Sequence, residues 1–343
     1  MSLLGDTKNW VEVRAEGVFI EPLKAYIDPV RPVERALITH GHADHARAGH
    51  GTVIATPQTL DIMALRYGAA FTNNRLPLPY GERFTDNQVT VSTASAGHVL
   101  GSAQIIIEYN GTRLVAAGDY KRSYDPTLTP FEVVPCDIFI TEATFGLPVF
   151  HHPDPVDEIA KLMRMRALFP ERSCFIGAYA LGKAQRVMML LRQAGYQDPI
   201  YIHGALQKLC DYYQSQDIEL GELLPATAGQ RGVSNPELRG KIIMGPPSAL
   251  GGTWAHRLPD PIISFASGWM QVKARAKQRG VECPLIISDH ADWPDLLQTI
   301  EDVNPRETWI THGNEEALLH ELTKRGRVAR ALSLLGYESE SEE

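Results

Sequence analysis

The stretch LITHGHADHARAGH, Leu37 to His50, places His40, His42, Asp44, His45 and His50 within eleven residues, although the chain has only twelve histidines in 343 positions. Imidazole and carboxylate together suit zinc, manganese, iron or cobalt. His40 and His42 stand two apart, so at an extended strand end both rings project to one side. Asp44 and His45 follow too closely to share that face. They suit a turn and the first residues of a helix, which aim a second pair at the same point. An HxHxDH junction between strand and helix can therefore surround two ions, the first pair serving one and the second pair the other. Two such ions acidify a shared water and stabilise charge on a phosphoryl oxygen and its leaving group, so the expected chemistry is hydrolysis. His50 lies beyond the cluster and reads as structural, and His151, His152, His203, His256 and His320 read as surface or packing residues.

One loop cannot complete two coordination spheres, and three further donors occur in matching contexts. His98 in SAGHVLGSA follows the apolar run Val89 to Val91, Asp119 in AAGDYKR follows Leu114 to Ala117, and His312 in WITHGNEE follows Thr308 to Ile310. Each run reads as a strand, as do Ala36 to Ile38, Ile105 to Ile107 and Ile138 to Ile140. Strands laid side by side bring their ends to one rim, where residues remote in order meet. A carboxylate such as Asp119 is the natural bridge, because each oxygen can face a different cation. Asp28 in AYIDPV reads either as a turn residue or as a carboxylate orienting a ligand histidine.

Between these β-rich parts the pattern changes. Apolar residues fall at helical spacing from Val156 to Phe169 and again over Lys183 to Arg192, with strand-like runs at Cys174 to Ala178 and Pro199 to Ile202. The middle thus reads as a small α/β domain inserted near HHPDP at His151. Leu285 to Ile287 reads as the return of the first domain's strands. The expected division is 1–146, an insert over 147–284, 285–336, and an acidic disordered tail over 337–343.

Composition bounds the function. A formal charge of −8 argues against nonspecific coating of nucleic acid, which relies on many cations displacing counterions. It leaves a nucleic-acid enzyme open. The sequence contains neither an apolar run long enough for a membrane span nor a signal-peptide pattern, so a cytoplasmic protein without membrane partners is expected. Cys136, Cys174, Cys210 and Cys283 form no CxxC pair and read as reduced thiols.

The series HxHxDH, AGHVLGSA and GDY resembles the motifs of the metallo-β-lactamase superfamily, which implies an α/β fold, an αββα sandwich with metals at one edge. Glu142 in TEATFG, His290 in SDHAD and His312 in THG resemble the acidic and histidine motifs of the β-CASP nucleases, in which an α/β cap is inserted between the lactamase halves. ALGKAQRV, Ala180 to Val187, looks like a β-CASP segment too. The phrases YIDPVRPVERALITHGHADHAR, AGHVLGSAQ, GDYKR, PCDIFITEATFGLP and YALGKAQR look particularly like the bacterial ligase-associated DNA exonucleases. The resemblance runs from about Tyr26 to His312. It implies His40, His42 and His98 on one manganese or zinc ion, Asp44, His45 and His312 on the other, and Asp119 bridging. Glu142 and His290 would then position the scissile phosphate and handle a proton, a role open to histidine near neutral pH.

The implied activity is hydrolysis of single-stranded DNA from the 5′ end during repair, alongside an ATP-dependent ligase and a helicase. Histidine at position 312 is associated with RNA substrates among β-CASP proteins, so an RNA-processing nuclease is the alternative. An inactive scaffold for ligase or helicase is the alternative of another class, and a small-molecule hydrolase leaves the insert and His290 without a purpose. Expected substrate contacts are Lys121, Lys183, Arg186, Ser267, Lys273 and Arg275, with Trp269 able to stack on a base or to pack in a core. A narrow cleft beside the cap would admit one strand more readily than a duplex.

Overall fold

The computed structural model describes residues 10–226, 235–251, 254 and 258–332, so the expected acidic tail and His256 lie outside the described residues. The chain divides into two compact units, one of residues 1–151 with 290–342 and the other of residues 152–289.

The first unit contains two sheets. Val11–Arg14 (β1), Gly17–Ile20 (β2), Ala25–Ile27 (β3), Arg35–Leu37 (β4), His50–Ala55 (β5) and Thr72–Pro77 (β6) pair in sequence order. Arg83–Asp86 (β7), Val89–Ser95 (β8), Ala103–Tyr109 (β9), Thr112–Ala116 (β10) and Ile138–Ala143 (β11) form the second sheet, which Glu307–Gly313 (β18) and Ala329–Ala331 (β19) extend beyond β11. Alternate residues explain why these runs are apolar throughout. Leu114, Ala116, Ile138 and Ile140 join Leu37, Ile54, Val91 and Ile105 in the core between the sheets. Their neighbours Val115 and Phe139 face outward, against Leu296 and Ile300 of helix Trp293–Val303 (α6) and Leu318 and Leu322 of helix Glu315–Lys324 (α7). On the opposite side, Ala36, Val53 and Ala55 pack under Leu60 and Met63 of helix Pro57–Tyr67 (α1). The layers are helix, sheet, sheet, helix: the αββα sandwich.

The second unit holds a six-stranded parallel sheet of Cys174–Gly177 (β12), Ile200–Ile202 (β13), Leu223–Pro225 (β14), Ile242–Gly245 (β15), Ile262–Ala266 (β16) and Cys283–Leu285 (β17). Helices Pro155–Leu168 (α2), Lys183–Gln193 (α3), Gly204–Ser215 (α4) and Lys273–Gln278 (α5) connect its strands. All four cysteines are free thiols, three buried and Cys136 half-buried.

Two expectations need correction. The strand expected at Leu285 to Ile287 lies two residues earlier, at Cys283–Leu285, and it pairs with β16 through Ser264↔Cys283 in the second unit; the first unit resumes at His290. An apolar run reveals a strand but not its partner. The second correction concerns the HxHxDH segment, which is followed by a turn, with Ala46 donating to the His42 carbonyl at 2.7 Å, and then by β5 rather than a helix. The chain must cross from β4 to its parallel neighbour β5 within residues 38–49, and Gly49, at φ +95°, redirects it.

Gly118 joins β10 to Asp119 at φ +60°, and a Cβ there would stand 2.7 Å from Cβ of Thr39. Gly111 has a similar φ of +76° with open space around it. Urea denaturation is expected to show Gly118→Ala losing about 2–5 kcal/mol from strain plus overpacking, against about 1–2 kcal/mol for Gly111→Ala, which suffers strain alone.

Candidate metal centre

The rim of the first unit's sandwich gathers the ends of β4, β8, β10, β11 and β18, and with them nearly every donor singled out in the sequence. Asp119 is the centre. Its Oδ2 stands 3.5 Å from His40 Nε2, 3.5 Å from His45 Nε2 and 3.7 Å from His98 Nε2, while its Oδ1 lies 2.7 Å from His312 Nε2. His98 Nε2 is 3.0 Å from His42 Nδ1. Donor atoms of His40, His42, His98 and Asp119 lie within 4.8 Å of one another, as do those of His45, Asp119 and His312. Asp44 is half-buried, with Oδ2 3.7 Å from His45 Nε2. His50 packs apart from the cluster and accepts a hydrogen bond from the Val33 amide through Nδ1. His203 accepts from the Ala205 amide at the start of α4.

The local structure fixes which nitrogen of each ring faces inward. Asp28, at φ +42° just after β3, accepts from the Thr39 amide at 2.8 Å, the Thr39 hydroxyl at 2.6 Å and His45 Nδ1 at 2.8 Å. A carboxylate only accepts here, so His45 carries its proton on Nδ1 and turns Nε2 to Asp119. The Thr39 hydroxyl gives its hydrogen to Asp28 and therefore accepts from His40 Nδ1, 3.0 Å away, leaving the His40 lone pair on Nε2. The two readings of Asp28 are thus both met, because it turns the chain and orients two histidines.

His312 is aimed by a bulge. The register between β11 and β18 shifts between Thr141 and Ala143, His312 takes φ +30°, and Gly313 follows at φ +97°, with its α-carbon so close to the Ala143 carbonyl that a Cβ would lie 2.2 Å from the oxygen. Such bulges re-aim side chains beside functional sites. Thr39, Gly118, Thr311 and Gly313 join the site although none of them offers a metal donor that would mark it in the sequence; the glycines beside the donors in AAGDY and THG are the signal there.

Electrostatics match the geometry. Burial, reinforced by His45, holds His40 well below its ordinary pKa, so its ring is neutral. Burial also disfavours protonated His45, but Asp119, Asp44 and the bond to Asp28 outweigh this and push it up to about 10. Burial disfavours ionised Asp119, yet His45, His312 and His290 keep it well below the carboxylate range. The carboxylates that draw a proton to His45 would draw a divalent cation as well.

The donors fit metal ions. His40 Nε2 is buried and makes no hydrogen bond. Two donors at corners of a tetrahedron with bonds of about 2.0–2.1 Å stand about 3.3–3.4 Å apart, close to the separations around Asp119 Oδ2. With Asp119 shared, the site has the donor set for two divalent ions.

Glu142, fully buried in β11, accepts from the Tyr120 amide at 2.8 Å and from His290 Nδ1 at 2.9 Å. The Ala291 amide donates to the Tyr120 carbonyl at 2.7 Å, which anchors the chain beside His290. Asp119, Glu142 and His290 form a third close donor group.

The expected substrate contacts are placed differently. Lys121 is buried, bonded to Asp125 at 2.6 Å and to the His98 carbonyl at 3.4 Å. Within the second unit, Lys183 and Arg186 are also buried, with Asp289 oxygens at 3.7 and 3.5 Å, and Arg186 donates to the Ser288 carbonyl. Each of these three cations thus faces internal partners in the structure. Ser267 is buried and accepts from the Trp269 amide. Arg275 lies 4.0 Å above the Trp269 ring, and Lys273 is exposed on α5.

Residues 19–177 match the family model described as Metallo-beta-lactamase superfamily, so this part of the chain is similar to that superfamily. Among similar proteins, one named Probable DNA ligase from Opitutus terrae is 27% identical over 332 residues, covering 94% of this chain and 31% of that protein. Endoribonuclease ysh-1 from Neurospora crassa is 29% identical over 220 residues, 52% of this chain and 26% of that protein. Transcription termination factor FttA from Methanosarcina mazei is 24% identical and covers 84% of this chain and 60% of that protein. The chain thus spans less than two thirds of each of these relatives. A solved structure titled as a protein of unknown function from Enterococcus faecalis shares the fold at TM-score 0.58 and 13% identity, over 86% of this chain and 78% of that one. Among the described residues, no helix is long and apolar enough to cross a membrane.

Asp28→Asn keeps the side chain's shape but removes the charge that holds His45 and Thr39. In calorimetric titration of metal-free protein, it is expected to lower manganese affinity about 10–100-fold, and because an amide NH2 would face a buried donor, to lower the melting temperature as well.

Proposed function

We propose that the protein is a two-metal phosphodiesterase that removes nucleotides from single-stranded DNA, starting at the 5′ end, with His40, His42 and His98 on one ion, Asp44, His45 and His312 on the other, and Asp119 shared. The observation that carries this reading is the placement of His40, His45 and His98 around one oxygen of Asp119 and His312 on the other. Two bound ions would acidify a shared water and stabilise charge developing on the phosphoryl group.

The chain's own residues supply the rest. Glu142 fixes His290 through Nδ1, so proton exchange with the leaving oxygen falls to Nε2, and the same carboxylate stabilises the imidazolium formed when Nε2 is protonated. Tyr120 keeps Glu142 in place from the backbone. The second unit is read as a β-CASP cap, and of the basic residues considered there, Lys273 and Arg275 on α5 are those assigned to phosphate.

DNA is favoured because the relative named as a DNA ligase matches 94% of this chain, which suits a repair role beside a ligase and a helicase in the cytoplasm. RNA is the second reading, supported by the relative named as an endoribonuclease, whose match is shorter.

With manganese and 5′-labelled oligonucleotides of matched sequence, the unaltered protein is expected to degrade DNA faster than RNA; the reverse order assigns RNA. Asp119→Ala should lower turnover by about 10²–10³-fold or more. His290→Ala should lower it by about 10²–10⁴-fold while metal content stays unchanged. Equal turnover by Asp119→Ala and the unaltered chain rejects the mechanism.

A further inference from the structure

Beside the rim, a small pocket of about 30 Å³ lies between the two sheets of the first unit, and five of its ten lining residues carry polar side chains: Asp28, Thr39, His45, Thr311 and His312. A cavity must offer about 10–15 Å³ and two to four polar partners to hold one water. This one meets both conditions. Thr311 is only 8% exposed, and its Oγ1 makes no hydrogen bond. A buried hydroxyl left in that state is unfavourable, whereas a water in the adjoining space satisfies it.

We propose that this cavity is a binding site for an ordered water that joins Thr311 Oγ1 of β18 to the Asp28 carboxylate, and that Thr311 is thereby a positioning residue for the second metal ion. The inference rests on the reading of His45 and His312 as ligands of that ion. Asp28 already orients His45 through Nδ1. Thr311 precedes His312, whose backbone is held at φ +30° by the bulge. One water linking the two would tie both ligands, which come from different sheets, into a single hydrogen-bonded unit. Their separation would then be set before an ion arrives. Among outer partners of metal ligands, such ties are worth about 10–100-fold in affinity.

The test compares metal-free unaltered protein, Thr311→Val, Thr311→Ser and His312→Ala, each titrated with manganese by calorimetry and followed by thermal melting. Valine keeps the volume and removes the hydroxyl; serine restores it. Thr311→Val is expected to bind the second ion about 10-fold or more weakly, with the first ion unaffected, and Thr311→Ser is expected to bind near the unaltered level. Full affinity in Thr311→Val, together with weakened binding in His312→Ala, overturns the water's role and leaves the ligand assignment standing. Two ions still bound by His312→Ala as by the unaltered chain would overturn the ligand assignment itself. A high-resolution crystal structure of the unaltered protein is independent of how the variants fold: a water within hydrogen-bonding distance of Thr311 Oγ1 supports the proposal, and a dry cavity overturns it.

Discussion

The structure of the rim depends on one buried carboxylate. Asp119 is only 4% exposed, and burial of an ionised group is costly unless opposite charge or donors surround it. The surrounding imidazoles provide that compensation, yet they cannot all become charged, because they crowd one another: His40 lies with ring centroids 4.2 Å from His45 and 4.7 Å from His98. Protons alone therefore satisfy the cluster poorly, and the neutral His40 ring leaves a buried lone pair facing inward. A pair of divalent ions resolves both conflicts, since they neutralise the carboxylates and use the lone pairs of uncharged rings. The cluster is stable as a cation site rather than as a network of its own hydrogen bonds.

That requirement reaches into the fold. Asp119 must leave β10 at once and turn toward Thr39, which only a residue without a side chain at position 118 permits. Thr39 in turn accepts no freedom: its amide and hydroxyl are bound to Asp28, and its carbonyl accepts from Ala103 at the start of β9 in the other sheet. One threonine thus ties the two sheets together at the level of the metal ligands. The bulge in β18 completes the ring by bringing His312 onto the free edge of the Asp119 carboxylate.

Much of this was legible, and the reason is local. HxHxDH, GHVLGSA and GDY each keep a donor a few residues beyond an apolar run, and strand ends are where parallel neighbours such as β10, β11 and β18 converge. The αββα layering was implied by the resemblance of HxHxDH, AGHVLGSA and GDY to a known superfamily, whereas the apolar runs by themselves marked only the strands of a β-rich part. What was not legible depends on partners remote in sequence. The strand at Cys283–Leu285 carries no mark of which sheet it joins. The bulge at His312 arises from the pairing of two strands more than a hundred residues apart, with only the glycine at 313 as a hint. Lys121, Lys183 and Arg186 looked available to phosphate because nothing in their own segments announces Asp125 or Asp289 as their partners.

Those internal pairs bear on how an acidic chain can act on a polyanion. Three of the cations nearest the motifs are already compensated, and the formal charge of −8 leaves no excess of basic residues to coat a nucleic acid. Under the proposed function, attraction for the substrate would therefore be concentrated where the carboxylates and histidines gather cations, not spread over a basic surface. Discrimination would then come from the metal site itself and from the Nε2 of His290, whose ring Glu142 holds through Nδ1 beside Asp119.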